Sequence, residues 1–165
     1  MPGILLCPQG NGGIMKKGIL GSKVVTQVGI LVHDIEKTAQ VYADFLGVAK
    51  PNIVITDTLD KSKATYRGSP TPARSKLAFF KVGESLELEL IQPDDAPSTW
   101  REELNRKGEG VHHIAFAIKG MKEKVADLQK ENMPLLQAGE YTGGRYAYVD
   151  ATRDLKVIIE LLEND

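Results

Sequence analysis

The chain has 165 residues, 42% hydrophobic and 26% charged, the make-up of one globular domain or of two small fused halves. Its 21 Lys and Arg against 22 Asp and Glu leave a formal net charge of -1, which argues against the basic footprint of a nucleic-acid binder. No apolar run reaches the roughly 18 residues of a membrane span, and a lone Cys7 allows no internal disulfide, so a cytoplasmic protein is expected.

Residues 1–22 are Gly-rich and aperiodic, and are expected to form an extension outside the core. Met15, followed by Lys16 and Lys17, offers an alternative translation start. Residues 24–32 are β-branched and bounded, which predicts a strand. Asp34 is placed to cap a helix running to about Phe45, which Gly47 closes. Residues 48–92 read as three strands, at 48–56, 75–82 and 85–91, with Gly83 turning between the last two. The polar stretch 57–74, with a short strand at 64–66, reads either as a surface loop or as a substrate lid. After the break at 93–97, Ser98 or Thr99 caps a short connector helix to about Arg106, ended by Gly108 and Gly110. The second half then offers a strand at 111–118, a helix at 121–132, and strands at 134–137, 145–149 and 156–162. Both halves are β-α-β-β-β.

The halves also superpose residue by residue. Gln27-Val28-Gly29-Ile30-Leu31-Val32 lies over His113-Ile114-Ala115-Phe116-Ala117-Ile118, and Leu86-Glu87-Leu88-Glu89-Leu90-Ile91 over Val157-Ile158-Ile159-Glu160-Leu161-Leu162. In each half a polar residue opens the first strand and a carboxylate interrupts the last. Strand alternation puts Leu86, Leu88 and Leu90 on one face and Glu87 and Glu89 on the other. By the same rule Glu160 faces away from Val157, Ile159 and Leu161, Gln27 shares its face with Gly29, and His113 shares its face with Ala115 and Ala117. A carboxylate inside so apolar a strand suffers a large desolvation cost unless it is paired, protonated or metal-bound. A solvated edge strand would accommodate Glu160 equally well; its repetition at Glu89 favours a shared polar site. His112 is expected on the opposite face, in a structural role, and His33 at a strand exit.

These residues resemble the vicinal oxygen chelate superfamily, the glyoxalase-like fold. The likeness rests on the stretch from Gln27 to Gly47, on Gly110-Val111-His112-His113-Ile114-Ala115 and on Ile158-Ile159-Glu160-Leu161, and spans residues 24–163. It implies an α+β fold of two βαβββ modules forming a curved mixed sheet around a metal site, with helices outside. Residues 23–165 would be one domain, with module one at about 24–93, a connector at 94–109 and module two at 110–163. The resemblance implies one divalent ion, Zn, Co, Ni or Mn, held by Gln27, Glu89, His113 and Glu160, with Glu160 also the catalytic base. It implies a homodimer and a small-molecule substrate. The methylmalonyl-CoA epimerase branch is similar in the Gly-Val-His-His-Ile-Ala run but usually carries His at the Gln27 position. The Gln/Glu/His/Glu set is similar to some glyoxalase I enzymes. No second catalytic glutamate stands between Thr56 and Lys76.

The expected chemistry is an isomerase, epimerase or lyase reaction through an enolate, on an acyl-CoA-like or α-oxo substrate. Glyoxalase I activity and a non-catalytic small-molecule binder are the alternatives. An extradiol dioxygenase fits less well, because that chemistry prefers two histidines and one carboxylate. Gly143, Gly144 and Arg145 are read as an anion-binding segment of the substrate site, with Arg74 and Lys76 as weaker candidates; a tight turn bearing an exposed arginine is the alternative for the first three.

Overall fold

The computed structural model of the protein describes residues 18–165. The first module opens with β1 (Val25–Leu31) and α1 (Ile35–Leu46). Asp34 caps α1 by accepting the Lys37 N–H at 3.1 Å, and Gly47 ends it in the left-handed region at φ 67°. A short β2 (Val54–Ile55) follows, then α2 (Leu59–Ser62), β3 (Thr65–Tyr66), β4 (Ser69–Pro70), β5 (Ser75–Val82) and β6 (Leu86–Pro93). The connector helix α3 (Thr99–Lys107) leads to β7 (Gly110–Ala117), α4 (Met121–Lys130), β8 (Leu135–Tyr141), β9 (Gly144–Val149), α5 (Thr152–Leu155) and β10 (Ile158–Asn164).

All ten strands form one sheet in the order β2-β5-β6-β1-β7-β10-β9-β8-β3-β4. Each module pairs its first and last long strands in parallel, β1 with β6 and β7 with β10. The modules join through the antiparallel pair β1·β7, in which Gln27 faces Ala115 and Gly29 faces His113. This is the curved mixed sheet that two βαβββ modules make. Lys23 to Leu46 and the second half follow the sequence expectations closely.

Two parts of the sheet differ from them. In the 48–56 segment only Val54 and Ile55 pair, with Leu77 and Lys76; Pro51 has no N–H to give a ladder. The 57–74 excursion crosses to the other module, where β3 pairs with the edge strand β8 (Thr65 with Ala138, Tyr66 with Gln137). Pairing with β9 carries β8 on to Tyr141, beyond the expected 134–137, through Ala138 and Gly139, residues of low strand propensity.

Alternation sorts the side chains into three cores. On the convex face Ile35, Ala39 and Ala43 of α1 pack on Ala78, Phe80 and Leu90. In the second module Leu128 of α4 packs near Ala147, Val149, Ile159 and Leu161. Ile19 and Leu20 pack against that second core, so the start of the domain reaches back into the segment read as an extension; residues 1–17 lie outside the described residues. The third core is on the concave face, where Trp100 and Leu104 of α3 cover Leu31, Ile91 and Ile158. Thus α3 plugs one end of the concave face and leaves the rest as a cavity. No helix among the described residues is long and apolar enough to cross a membrane.

Candidate metal centre

The sheet register explains how four distant residues meet. One rung reads Phe79, Glu89, Gly29, His113, Ile158, and the next reads Glu87, Gln27, Ala115, Glu160, Tyr148. In each rung a residue with almost no side chain, Gly29 or Ala115, stands between two donors. The donors lean over it from either side. The need is strict at Gly29, where a Cβ would come within 2.0 Å of His113 Cε1 and 2.4 Å of its Nδ1. The space that small residues provide is therefore filled at this position by the imidazole, whereas Ala115 separates Gln27 from Glu160.

The resulting cluster is dry. Gln27, Glu89 and Glu160 are buried and His113 is 0% exposed. His113 Nε2 lies 3.0 Å from Glu160 Oε2, 3.5 Å from Glu89 Oε2 and 3.3 Å from Gln27 Oε1. One ligand atom from each of Glu89, His113 and Glu160 falls within 4.8 Å of the other two. Glu89 Oε2 and Glu160 Oε2 have no hydrogen-bond partner among the described residues. Burial, and then the charges of Glu160 and Glu87, hold the Glu89 carboxyl well above the ordinary carboxylate range. Two orphaned buried carboxylate oxygens facing an imidazole nitrogen are the donor set that a divalent cation satisfies, with both charges neutralised and a mixed O/N shell.

The cluster opens into a cavity of about 700 Å³. Phe79, Trp100, Tyr146 and Tyr148 form an aromatic wall, and Asp57, Ser62, Ala64 and Ala73 close it from the 57–74 excursion. That excursion is consequently a cover over the cavity. Burial and the two nearby glutamates push the Tyr146 phenol up to about 12, and Tyr148 is raised by the same causes. Both remain O–H donors at neutral pH. Trp100 Nε1 donates to the Tyr148 hydroxyl at 3.1 Å, and Gln137 Nε2 donates to Tyr146 at 3.4 Å. Asp57, Glu87 and Glu140 add three further carboxylates to the lining; no Lys or Arg lines it among the described residues.

His112 departs from its expected place. The β1·β7 register shifts between Gly29, opposite His113, and Ile30, opposite Val111, so His112 is an extra residue in a β-bulge. A bulge breaks alternation. The His112 ring therefore sits on the concave side, perpendicular to His113 with 5.2 Å between centroids, and Nδ1 to Nδ1 is 2.9 Å. Burial, with smaller effects from His113 and Lys107, keeps it well below the usual imidazole range, hence neutral. The pseudo-equivalent Thr26 occupies a second bulge directly before Gln27.

The residues read as anion-binding lie elsewhere. Arg145 is engaged by Glu163 at 3.0 Å and Asp165 at 2.6 Å, beside Gly120 and Met121 and off the cavity. Gly143 supplies a turn at φ 92°, and Gly144 makes room for the Tyr141 ring, which a Cβ there would meet at 2.7 Å. Arg74 Nε donates to the Thr56 carbonyl at 2.7 Å, and Lys76 is exposed. None of Gly143, Gly144, Arg145, Arg74 and Lys76 lines the cavity. Sequence reasoning passed over Trp100, Tyr146, Tyr148 and His112. Tyr146 and Tyr148 were within reach, since they alternate on the strand opposite Glu160; the bulge that turns His112 leaves no local signature.

A paired-module sheet with a buried carboxylate–imidazole cluster in its concavity defines a class of mixed α+β fold whose concave face could chelate a divalent metal. The family model described as the Glyoxalase/Bleomycin resistance protein/Dioxygenase superfamily matches residues 26–149, and the chain belongs to that superfamily, the vicinal oxygen chelate fold. Among curated relatives, the uncharacterized protein YqjC of Bacillus subtilis (strain 168) is 29% identical over 139 residues, covering 82% of this chain and 89% of that protein. The mitochondrial methylmalonyl-CoA epimerase of Mus musculus is 26% identical over 112 residues, 66% of this chain and 53% of that protein. The crystal structure of methylmalonyl-CoA epimerase from Mycobacterium tuberculosis matches with a TM-score of 0.61 at 21% identity, covering 92% of this chain and 93% of that one. At that identity the likeness is one of fold.

Proposed function

We propose that the protein is a divalent-metal-dependent enzyme that moves a proton beside a carbonyl group, an epimerase, isomerase or lyase acting through an enolate. The observation that carries this reading is the pair of buried, partnerless oxygens, Glu89 Oε2 and Glu160 Oε2, facing His113 Nε2. Gln27, Glu89, His113 and Glu160 would hold the ion. When bound, it supplies Lewis-acid stabilisation of the charge that develops on a carbonyl oxygen.

The chain's own residues account for the rest. Glu160 is on the cavity side of the cluster and is our candidate for the base that takes the α-proton. Asp57 and Glu87 line the same cavity, so a carboxylate is present for proton delivery from elsewhere on its wall, as an epimerase requires. Tyr146 and Tyr148 offer neutral O–H donors. The aromatic wall and the 57–74 cover keep water from the exchanging proton. The lining bears carboxylates and no cation, so the reacting end of the substrate carries an apolar or aromatic body with no free anionic group beyond the oxygens held at the cluster. The anionic part of an acyl-CoA would then remain outside the mouth. The epimerase relatives support this thioester reading. Gln27 supports glyoxalase I chemistry on a hemithioacetal as a second reading. The homodimer implied by the resemblance and the cytoplasmic location expected from the lone Cys7 stay within this proposal, the former tested by sedimentation.

The test is deuterium incorporation from heavy water into a panel of acyl-CoA esters, α-oxo compounds and hemithioacetals, with zinc, cobalt, nickel or manganese. Exchange by the wild type and its loss in Glu160→Gln are expected. Exchange into no compound with any of the metals would leave a small-molecule-binding protein instead.

A further inference from the structure

We infer that His112 is a positioning residue: its Nδ1 accepts the Nδ1–H of His113 and so commits the Nε2 lone pair of His113 to the cluster with Gln27, Glu89 and Glu160. The inference rests on the reading that this cluster holds a cation. It begins from the bulge. Without the extra residue in β7, His112 would face the convex core. With it, two imidazoles meet edge on, Nδ1 to Nδ1, at 2.9 Å.

Two imidazole nitrogens at hydrogen-bond distance share one proton, and a neutral ring has only one N–H to place. The direction of this contact therefore sets both tautomers. If His113 donates, its Nε2 is bare and available to a cation, and His112 carries its proton on Nε2, 3.2 Å from Thr99 Oγ1. If His112 donates, the His113 proton moves to Nε2, toward Gln27 Oε1 3.3 Å away, and blocks the cluster. The Thr99 hydroxyl serves either direction because it both donates and accepts. Thr99 is itself held: it opens α3, and its N–H donates to Gln137 Oε1 at 2.8 Å. His112, His113, Thr99 and Gln137 are each at most 2% exposed, so no solvent replaces a bond that is removed. The chain thus has two polarities, and cation loading selects the one that ends on Thr99. This gives α3, read from sequence as a mere connector, a part in holding the donor set.

Substitution separates the bond from the bulk of the ring. His112→Asn puts an amide oxygen where Nδ1 now stands and keeps the acceptor. His112→Phe keeps a ring and loses it. Zinc affinity, measured by competition with a chromophoric chelator, is expected to fall by about 10–100-fold in His112→Phe and to return most of the way in His112→Asn. Long-range proton–nitrogen NMR of the wild type supplies a readout independent of any variant. His112 is expected to carry its proton on Nε2 in the zinc-loaded protein, toward Thr99 Oγ1, with its Nδ1 bare. A zinc-loaded His112 protonated at Nδ1, or a folded His112→Phe with wild-type zinc affinity, would overturn the inference while leaving the metal reading intact. A wild type that takes up no zinc would overturn both.

Discussion

At the scale of single residues, two glycines make opposite predictions from the same geometry. A Cβ at Gly29 collides with the His113 ring, and one at Gly139 collides with Tyr146, 2.7 Å from its Cε1 and hydroxyl. Gly29→Ala should displace the imidazole, cost about 1–3 kcal/mol of stability by overpacking, and weaken zinc binding by about 10–100-fold. Gly139→Ala should move the aromatic wall instead, raising KM with metal affinity unchanged. Urea unfolding, chelator competition and steady-state kinetics check the three quantities. Glu89 and His112 together predict a pH response of the metal-free protein. A carboxyl whose folded value is raised loses its contribution to stability as pH climbs from its unfolded value of 4.5 through the folded one. A histidine whose folded value is lowered loses its own as pH falls below its unfolded 6.5. The two slopes oppose each other where they overlap. Glu89 is therefore expected to cost the metal-free protein stability as pH rises above 4.5, until it ionises in the folded state. Glu89→Gln should flatten that decline, which denaturant titrations across pH will read. Saturating metal should flatten it too, because the ion holds the carboxylates ionised.

At the scale of elements, the long strands and α1 were legible because their signals are local: β-branched runs, alternation, Asp34 before the helix and Gly47 after it. Of the short strands only β3, expected at 64–66, was legible; β2, β3 and β4 have two residues each and exist only where a neighbour offers a ladder. The 57–74 cover illustrates this. Its hairpin is held on β8 and pinned by the Arg67–Glu102 ion pair at 2.8 Å and a Tyr66–Glu102 hydrogen bond. Both partners of that ion pair are largely solvent-exposed, so Glu102→Ala should change global stability by less than about 1 kcal/mol. It should nevertheless speed hydrogen exchange at the Arg67 amide, which donates to the Leu136 carbonyl at 2.8 Å, and alter substrate affinity more than turnover. Unchanged exchange there would show that the β3·β8 ladder holds the cover alone. The connector helix gives the converse case. Its Ser98 cap and Gly108 end were readable, but that Trp100 and Leu104 plug the concave face depends on where α3 docks.

At the scale of the molecule, the two modules are joined by a pair of strands and by a site that neither completes. Gln27 and Glu89 come from the first module, His113 and Glu160 from the second. Metal is therefore expected to stabilise the protein as one cooperative unit, adding about 2.7 kcal/mol at a concentration 100 times Kd. Calorimetry should show one transition moving up with zinc, and Glu89→Gln should abolish most of the movement. Two transitions of which zinc shifts only one would mean that the modules unfold separately and that one of them holds the ion.

The sequence by itself determined the repeat, the strand faces and the four polar positions, since alternation along a strand and similarity between halves are properties of the chain alone. It also marked Gly29 and Ala115 as small residues on the face of the donors. Only the tertiary structure decided that Arg145 turns to Glu163 and Asp165, that the 57–74 excursion crosses to the other module, and that His112 turns inward beside His113. The reason is physical: ion pairs, edge pairing and bulges are settled by what lies across the sheet, and that partner is far away in sequence.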